Sequence, residues 1–152
     1  MRAPAMTEFN TTYDGLPIAN EKPFAACIVV YRDTPGGYSL LILHRAHEGP
    51  DHQGDWAWTP PSGARLPYEP ILNCAARELR EETGLVLDLI AVPHAAEEVA
   101  VYVARAPAEC VVMLDGEHDR YEWLSPSEAV ARCKPEIVGD EILAALRAVA
   151  RG

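Results

Sequence analysis

The chain has 152 residues, of which 49% are hydrophobic and 24% charged, so it can fold as one globular domain and is not a disordered chain. Its 23 acidic residues outnumber its 13 basic ones, and the net charge of −10 excludes nucleic acid and anionic membranes as expected partners. The N-terminal region lacks the apolar run of a signal peptide, and no stretch reaches the roughly 20 apolar residues of a membrane span. We therefore expect a cytoplasmic protein without a membrane partner.

The first half of the chain predicts a polar arm followed by a β-hairpin. Residues 1–23 are polar and rich in turn formers, so we expect an N-terminal arm before a single domain at 24–152. Apolar, β-branched runs bounded by glycine and proline predict strands separated by turns. The predicted elements are a strand at 24–31, a turn at 33–37, a strand at 38–44, a loop at 46–55, a short extended segment at 56–59 and a loop at 62–67.

The second half predicts three helices and further strands. Pro70 and Gly84 bracket a helix at 70–83, because proline suits the first helical position and glycine the residue after the last. Strands are expected at 86–92, 99–105, 110–114 and 121–124, and helices at 125–133, capped by Ser125 or Ser127, and at 137–150. The last helix carries an apolar stripe of Ile142, Leu143, Leu146 and Val149. This order predicts an α/β fold with a mixed sheet and helices packed on it.

The four cysteines do not predict a zinc site or a disulfide. None belongs to a Cys-x-x-Cys pair, and their spacing matches no zinc site. We expect free, mostly buried thiols at Cys27, Cys74, Cys110 and Cys133.

The predicted helix at 70–83 carries a cluster of carboxylates. On a helical wheel its packing face is predicted to consist of Leu72, Ala75, Ala76 and Leu79. Glu78, Glu81 and Glu82 occupy another sector, where they repel one another unless a positive charge joins them. A hard divalent cation that bridges to substrate phosphates would offset this repulsion, whereas the simpler alternative is a solvated acidic helix face.

The residues around this cluster resemble the signature of the Nudix hydrolases. The match covers 23 residues and every defined position of the signature: Gly63, Glu69, Arg77, Glu78, Leu79, Glu81, Glu82, Gly84 and Leu85. The resemblance implies an α/β/α sandwich with a mixed sheet and a pyrophosphohydrolase that cleaves a phosphoanhydride in a nucleoside diphosphate-linked compound. Tyr68 departs from the family pattern, which often has glycine there, and this affects the expected shape of the loop.

The resemblance also implies roles for individual residues, with Mg²⁺ or Mn²⁺ as the cofactor. Glu78, Glu81 and Glu82 would form the metal cluster, and the Gly63 carbonyl is a further candidate ligand. Glu69 would support the site or hold a further metal, and Arg77 would hold a glutamate in position. Phosphoanhydride cleavage needs neutralised phosphate charge and an aligned water, which such a cluster supplies.

Two outer segments bear on the substrate. Residues 58–63 resemble the entry to the signature in diadenosine tetraphosphate hydrolases, although Ser62 stands where that branch usually has lysine. Residues 117–124 resemble a run found both in those hydrolases and in dihydroneopterin triphosphate pyrophosphatases. Glu117 in this run is a candidate general base or late metal ligand, and His118 is expected to be an ordinary loop histidine.

Candidate substrate contacts are an arginine and several aromatic residues. Arg45 ends the second predicted strand and could bind a phosphate, and Ser62 stands at the entry to the signature. Aromatic rings that could stack on a base are Trp58, Tyr102 and Tyr121, together with Tyr68 and Trp56.

Other functions on the same fold stay open. One is a sensor module that binds a nucleotide without cleaving it, although the intact set of glutamates favours an enzyme. Another is isomerisation of an isoprenoid diphosphate, which usually goes with a longer chain and a modified signature. The sequence does not decide the oligomeric state, and a homodimer is one option.

Overall fold

The computed structural model describes residues 11–12, 15–93 and 96–151. The expected arm at 1–23 therefore lies partly outside the described residues. Seven strands form one sheet: β1 (Ala25–Thr34), β2 (Gly37–Arg45), β3 (Trp58–Thr59), β4 (Ser62–Ala64), β5 (Ile90–Val92), β6 (Val99–Arg105) and β7 (His118–Leu124). In the described ranges, three helices accompany it: α1 (Ile71–Thr83), α2 (Pro126–Arg132) and α3 (Glu136–Arg151).

The sheet is mixed, as predicted. Its main path runs β3-β2-β1-β6-β5, with β4 paired to β1 and β7 paired to β2. The β1–β2 hairpin is antiparallel, whereas β1 and β6 run parallel along seven residue pairs. The parallel pairing is possible because α1 and the segment after it cross over the sheet between these strands.

Helices cover both faces of this sheet. Ala26, Ile28 and Val30 of β1 face a core that includes Leu79 of α1. Cys27 and Val29 face the opposite core, which includes residues of α2 and α3. Because alternate residues of a strand point to opposite faces, the continuous apolar run of β1 is buried on both sides. The predicted α/β/α sandwich is confirmed.

The structure corrects several predicted boundaries. Residues 62–67 were expected to be a loop, but 62–64 form β4, whose residues pair with Ala25, Ala26 and Cys27. Only residues 90–92 of the predicted strand at 86–92 belong to the sheet, and β7 begins at His118 rather than at Tyr121.

The predicted strand at 110–114 is not part of the sheet. Its alternation is real, since Val111 and Met113 are exposed while Cys110, Val112 and Leu114 pack on the core. However, the Met113 amide donates to the carbonyl of Thr83 at 2.9 Å, in the last turn of α1. The backbone of this segment therefore serves a helix end and not a neighbouring strand.

The predicted helix faces were partly wrong. Leu72 is 51% exposed and Ala76 is exposed as well, whereas the buried residues of α1 are Cys74, Ala75, Leu79, Glu82 and Thr83. The packing face of α1 is thus rotated toward the glutamates and includes one of them. Leu143 of α3, 40% exposed, also lies outside the buried stripe.

The predicted helix ends are mostly confirmed. Gly84 ends α1 with a φ of 74° and donates to the carbonyl of Arg80, and Ser125 caps α2 in a capping box with Glu128. Pro70 precedes the first turn of α1 instead of lying within it. All four cysteines are free, as predicted. Within the described part of the chain, no helix has the length and apolar character needed to span a membrane.

Candidate active site

A cavity of about 770 Å³ opens where β4, α1 and two loops meet. Its carboxylate lining among the described residues consists of Glu48, Asp55, Glu78, Glu81, Glu82, Asp115 and Glu117, against two arginines, Arg45 and Arg77. Such a lining repels phosphate unless a cation is bound.

Gly63 allows the cavity floor to form. Strand β4 pairs Gly63 with Ala26 of β1, which fixes the glycine against the side chain of Glu78 on α1. A Cβ built on Gly63 would lie 2.6 Å from Oε1 of Glu78 and closer still to the other carboxylate atoms. Only glycine therefore leaves room for this carboxylate at its observed position.

Arg77 is the centre of the ion-pair network. Its Nη1 donates to Oε1 of Glu78 at 2.6 Å and approaches Oε2 of Glu81 at 3.4 Å. Its Nε and Nη2 donate to the two carboxylate oxygens of Glu69 at 2.8 and 2.9 Å. Nη2 also donates to the carbonyl of Ala64 at 3.1 Å. The Arg77 guanidinium thus joins α1, β4 and the connecting loop. It can do so because a planar guanidinium presents several N–H donors in fixed directions.

Glu69 supports this network. Besides its bidentate pair with Arg77, its Oε1 accepts a hydrogen bond from the Leu66 amide at 3.1 Å. The hydrogen bonds from Arg77 hold the pKa of Glu69 below its ordinary value. Glu69 is not among the described residues that line the cavity.

Glu82 and Glu78 form a buried carboxylate pair. Glu82 is only 4% exposed, and its Oε1 accepts a hydrogen bond from the Ser62 amide at 3.0 Å. Burial, followed by the charge of Glu78, raises the pKa of Glu82 well above its ordinary value. Burial also raises the pKa of Glu78, against the opposing effect of Arg77. Ionising both carboxylates at once therefore costs free energy, because burial and their mutual repulsion outweigh the attraction of Arg77.

These residues fit a divalent cation by their chemistry. Glu78, Glu81 and Glu82 offer carboxylate oxygens at one end of the cavity, and hard cations prefer such ligands. Across the described ranges, no three His, Cys, Asp or Glu side chains already converge on a common point as ligands would. Arg77 lies between Glu78 and Glu81, so closer convergence of their carboxylates requires a change of side-chain conformation.

The opposite wall of the cavity comes from the start of β7. Nδ1 of His118 is 2.9 Å from Oδ1 of Asp115, and both residues line the cavity together with Glu117. His118 is 8% exposed and belongs to a strand, so it differs from the loop histidine that we expected. Asp115 was missed by sequence reasoning, because its only signal is a place in the turn before β7.

The remaining predicted substrate contacts divide into two groups. Arg45 and Ser62 line the cavity, and so does Trp56, which is 47% exposed and lies 5.7 Å from the Arg45 guanidinium. Trp58 and Tyr102 are only 2% and 6% exposed, because the apolar cores on the two faces of the sheet take up their rings.

Tyr121 and Tyr68 are exposed but are not among the described cavity residues. Burial or position therefore keeps four of the predicted aromatic contacts from the cavity. Trp56 is the aromatic residue that reaches it in the described part of the chain.

Comparison with known proteins identifies the family. The family model described as NUDIX domain matches residues 21–146, which is most of the chain. The asymmetrical bis(5'-nucleosyl)-tetraphosphatase of Caenorhabditis elegans is 27% identical over 118 residues, covering 70% of this chain and 81% of that protein.

Solved structures share the fold. A crystal structure of a C. elegans Ap4A hydrolase binary complex matches with a TM-score of 0.68 and 24% identity, over 84% of this chain and 98% of that one. The dihydroneopterin triphosphate pyrophosphohydrolase of E. coli matches with a TM-score of 0.65 and 20% identity, over 85% and 99%. The complete signature, the position of five of its residues around one cavity and the family match together show that the chain belongs to the Nudix family and is a Nudix pyrophosphohydrolase.

Proposed function

We propose that this enzyme hydrolyses a phosphoanhydride in a nucleotide carrying three or more consecutive phosphates, with diadenosine tetraphosphate as the first candidate. The observation that carries the proposal is the carboxylate-rich cavity built on the intact signature. The named activity of the C. elegans relative supports the choice of substrate. Two segments that resemble that branch also reach the cavity. Residues 58–63 end there with Ser62 and Gly63, and residues 117–124 begin there with Glu117 and His118.

We propose Mg²⁺ or Mn²⁺ as the cofactor, since Nudix hydrolases generally use divalent metals. Glu78, Glu81 and Glu82 would hold it, with the Gly63 carbonyl as a further ligand. Bound there, the cation would neutralise phosphate charge and activate the attacking water.

The chain's own residues prepare the site for this chemistry. Arg77 holds Glu78 beside the cavity and ties it to Glu69, and a change of the Glu78 conformation would let the carboxylates converge when a cation binds. The Ser62 amide fixes Glu82 in the same way. Glu117 lies in the same cavity and is the candidate to accept the proton of the attacking water. Arg45 and Trp56 are candidates for binding a phosphate and a base.

The variant Glu82→Gln tests the role of the carboxylate cluster. The change is nearly isosteric and removes one ligand charge, so we expect kcat to fall by about 10²–10³ with the fold retained. Glu136→Gln, which changes an exposed residue of α3, is the matched control and should keep wild-type turnover. More than half of wild-type turnover by Glu82→Gln at saturating Mg²⁺ would contradict the assignment.

A comparison of four substrates tests the choice of nucleotide. We expect kcat/KM for diadenosine tetraphosphate to exceed that for a deoxynucleoside triphosphate, dihydroneopterin triphosphate and ADP-ribose. A preference of about tenfold for ADP-ribose, equal to about 1.4 kcal/mol of transition-state discrimination, would refute the substrate while leaving the hydrolase intact. Ser62→Lys should raise kcat/KM most for the longest polyphosphate, because a lysine there would neutralise a further phosphate charge.

Dihydroneopterin triphosphate is the second candidate. The run at 117–124 also resembles that branch, and the E. coli enzyme shares the fold. A nucleotide sensor is the alternative outside catalysis, and lack of turnover on every substrate despite tight binding would favour it.

A further inference from the structure

One wall of the cavity is a loop that is held by side chains of the sheet. This loop wall, residues 46–56, contributes His47, Glu48, His52, Asp55 and Trp56 to the cavity. The middle of the loop wall receives three hydrogen bonds from outside it. Nη2 of Arg120 donates to the Pro50 carbonyl at 3.0 Å, and Nε1 of Trp58 donates to Oε1 of Gln53 at 3.0 Å. The third and shortest bond joins Nε2 of His44 to the His52 carbonyl at 2.7 Å.

His44 is fully buried, and both of its ring nitrogens face oxygen acceptors. Nδ1 lies 2.7 Å from Oδ1 of Asp119, opposite the nitrogen that faces the His52 carbonyl. A neutral imidazole has one N–H and could satisfy only one of these acceptors. The other nitrogen would then be held against an oxygen with no proton between them, inside the core. Only the imidazolium donates to both.

Asp119 brings a carboxyl oxygen to the His44 ring. Oδ1 of Asp119 also accepts a hydrogen bond from Nη1 of Arg120 at 3.2 Å, and its side chain is 26% exposed. Asp119 therefore supplies the negative charge that a buried imidazolium needs.

Other charged and polar groups near the His44 ring either favour or oppose a positive charge on it. Arg120 stands opposite His44 in the pairing of β2 with β7 and opposes a second positive charge. Arg132 of α2 lies over the Trp58 ring, which packs edge-on against His44, and is itself paired with Glu122. The ring of His52 is bonded to the Asp55 carbonyl. Asp119 is thus the negative group in direct contact with His44.

We propose that His44 is a positioning residue that Asp119 holds as an imidazolium, so that its second N–H fixes the loop wall through the His52 carbonyl. The loop wall is then ordered before the substrate enters, and substrate affinity depends on this clamp. The link to substrate rests on the proposed function, whereas the charge state of His44 does not.

Nitrogen-15 NMR of the ring tests the charge state without a substrate. The protein contains five histidines, and the ring of His44 is assigned by through-bond correlation to its own Cβ. At pH 7.5 we expect both nitrogens of wild-type His44 to be protonated. In Asp119→Asn the carboxamide can donate to Nδ1 while it gives up the hydrogen bond from Arg120, so a neutral ring keeps both of its own hydrogen bonds and should show one protonated nitrogen. A neutral pattern in the wild type, or identical patterns in the two proteins, overturns the proposal.

Kinetics test the positioning role. In Asp119→Asn the clamp persists, and KM for diadenosine tetraphosphate should stay within about twofold of the wild type. His44→Leu removes the clamp and should raise KM about tenfold, which is the effect of one hydrogen bond of about 1.4 kcal/mol, with kcat nearly unchanged. An unchanged KM in folded His44→Leu overturns this role. If that variant does not fold, His44→Phe, which also lacks a donor for the His52 carbonyl, takes its place with the same expected rise of KM and the same refuting result.

Failure of the proposed substrate would be recognised separately. If diadenosine tetraphosphate is not cleaved, the NMR comparison is unaffected, and KM is measured with ADP-ribose or whichever of the four anhydrides is hydrolysed fastest.

Discussion

Glu141 of α3 is a buried carboxyl group whose ionisation should weaken the fold. It is only 6% exposed, and burial raises its pKa to about 7, against the opposing effect of a hydrogen bond with the Cys27 thiol. The variant Glu141→Gln keeps the size of the side chain and removes the charge.

The magnitude follows from the difference between the folded and unfolded pKa values of Glu141. The folded pKa of about 7 lies above the ordinary value of 4.5, so the folded protein binds the proton more tightly than the unfolded chain does. This contribution to stability is fully present below the unfolded pKa and is lost as the pH rises through the folded one. Since one pH unit corresponds to about 1.4 kcal/mol, the loss is about 3 kcal/mol when complete.

The assay is urea unfolding of the wild type and Glu141→Gln at pH 5 and pH 8.5. We expect the free energy of unfolding of the variant, relative to that of the wild type, to increase by about 2–3 kcal/mol between these pH values. Glu136→Gln, at an exposed position of the same helix, is the matched control and should show little of this change. If the difference between Glu141→Gln and wild type is the same at both pH values, burial does not hold the proton on Glu141.

Three further predictions concern the active site. Gly63→Ala should destabilise the fold by about 1 kcal/mol in a urea melt, because the added Cβ would push the Glu78 carboxylate off its hydrogen bond with Arg77. Gly116→Ala, with no atom within 4 Å of the added Cβ, should cost under about 0.5 kcal/mol, and equal losses would show that Gly63 does not make room for Glu78. Arg77→Lys should lower the free energy of unfolding by about 2 kcal/mol and lower kcat, because lysine cannot bind Glu69 through two nitrogens while also reaching Glu78. Wild-type stability of this variant would show that the ion-pair network of Arg77 does not stabilise the fold. Millimolar Mg²⁺ or Mn²⁺ should raise Tm above that of a chelator control. The free energy of unfolding should increase by about 2.7 kcal/mol when the metal concentration is about 100 times its Kd. No shift of Tm with either metal would favour a solvated acidic helix face.

The sequence by itself determined the family and most of the elements. The spacing from Gly63 to Leu85 identifies the Nudix signature without the tertiary structure, because the signature depends on residue types at fixed intervals. The continuous apolar run of β1 required burial on both faces, and Gly84 and Ser125 marked helix ends by local backbone chemistry. These features are local, so they can be predicted from neighbours along the chain.

The tertiary structure decided which side chains reach the cavity. Trp56 and Trp58 are two residues apart, yet one lines the cavity and the other is buried in the core. The helical wheel of α1 correctly placed Ala75 and Leu79 on the packing face, but contact with the sheet leaves Leu72 exposed and buries Glu82. The alternating segment at 110–114 donates a backbone hydrogen bond to the last turn of α1 and does not pair with a strand.

The sequence also did not predict the position of the opposite wall of the cavity, at the start of β7. Asp115 joins the cavity because β7 pairs with β2, which brings the turn before β7 beside the glutamates of α1. His44 and Asp119, far apart along the chain, meet through the same pairing. Such contacts depend on how distant elements pack, and residue spacing along the chain carries no information about them.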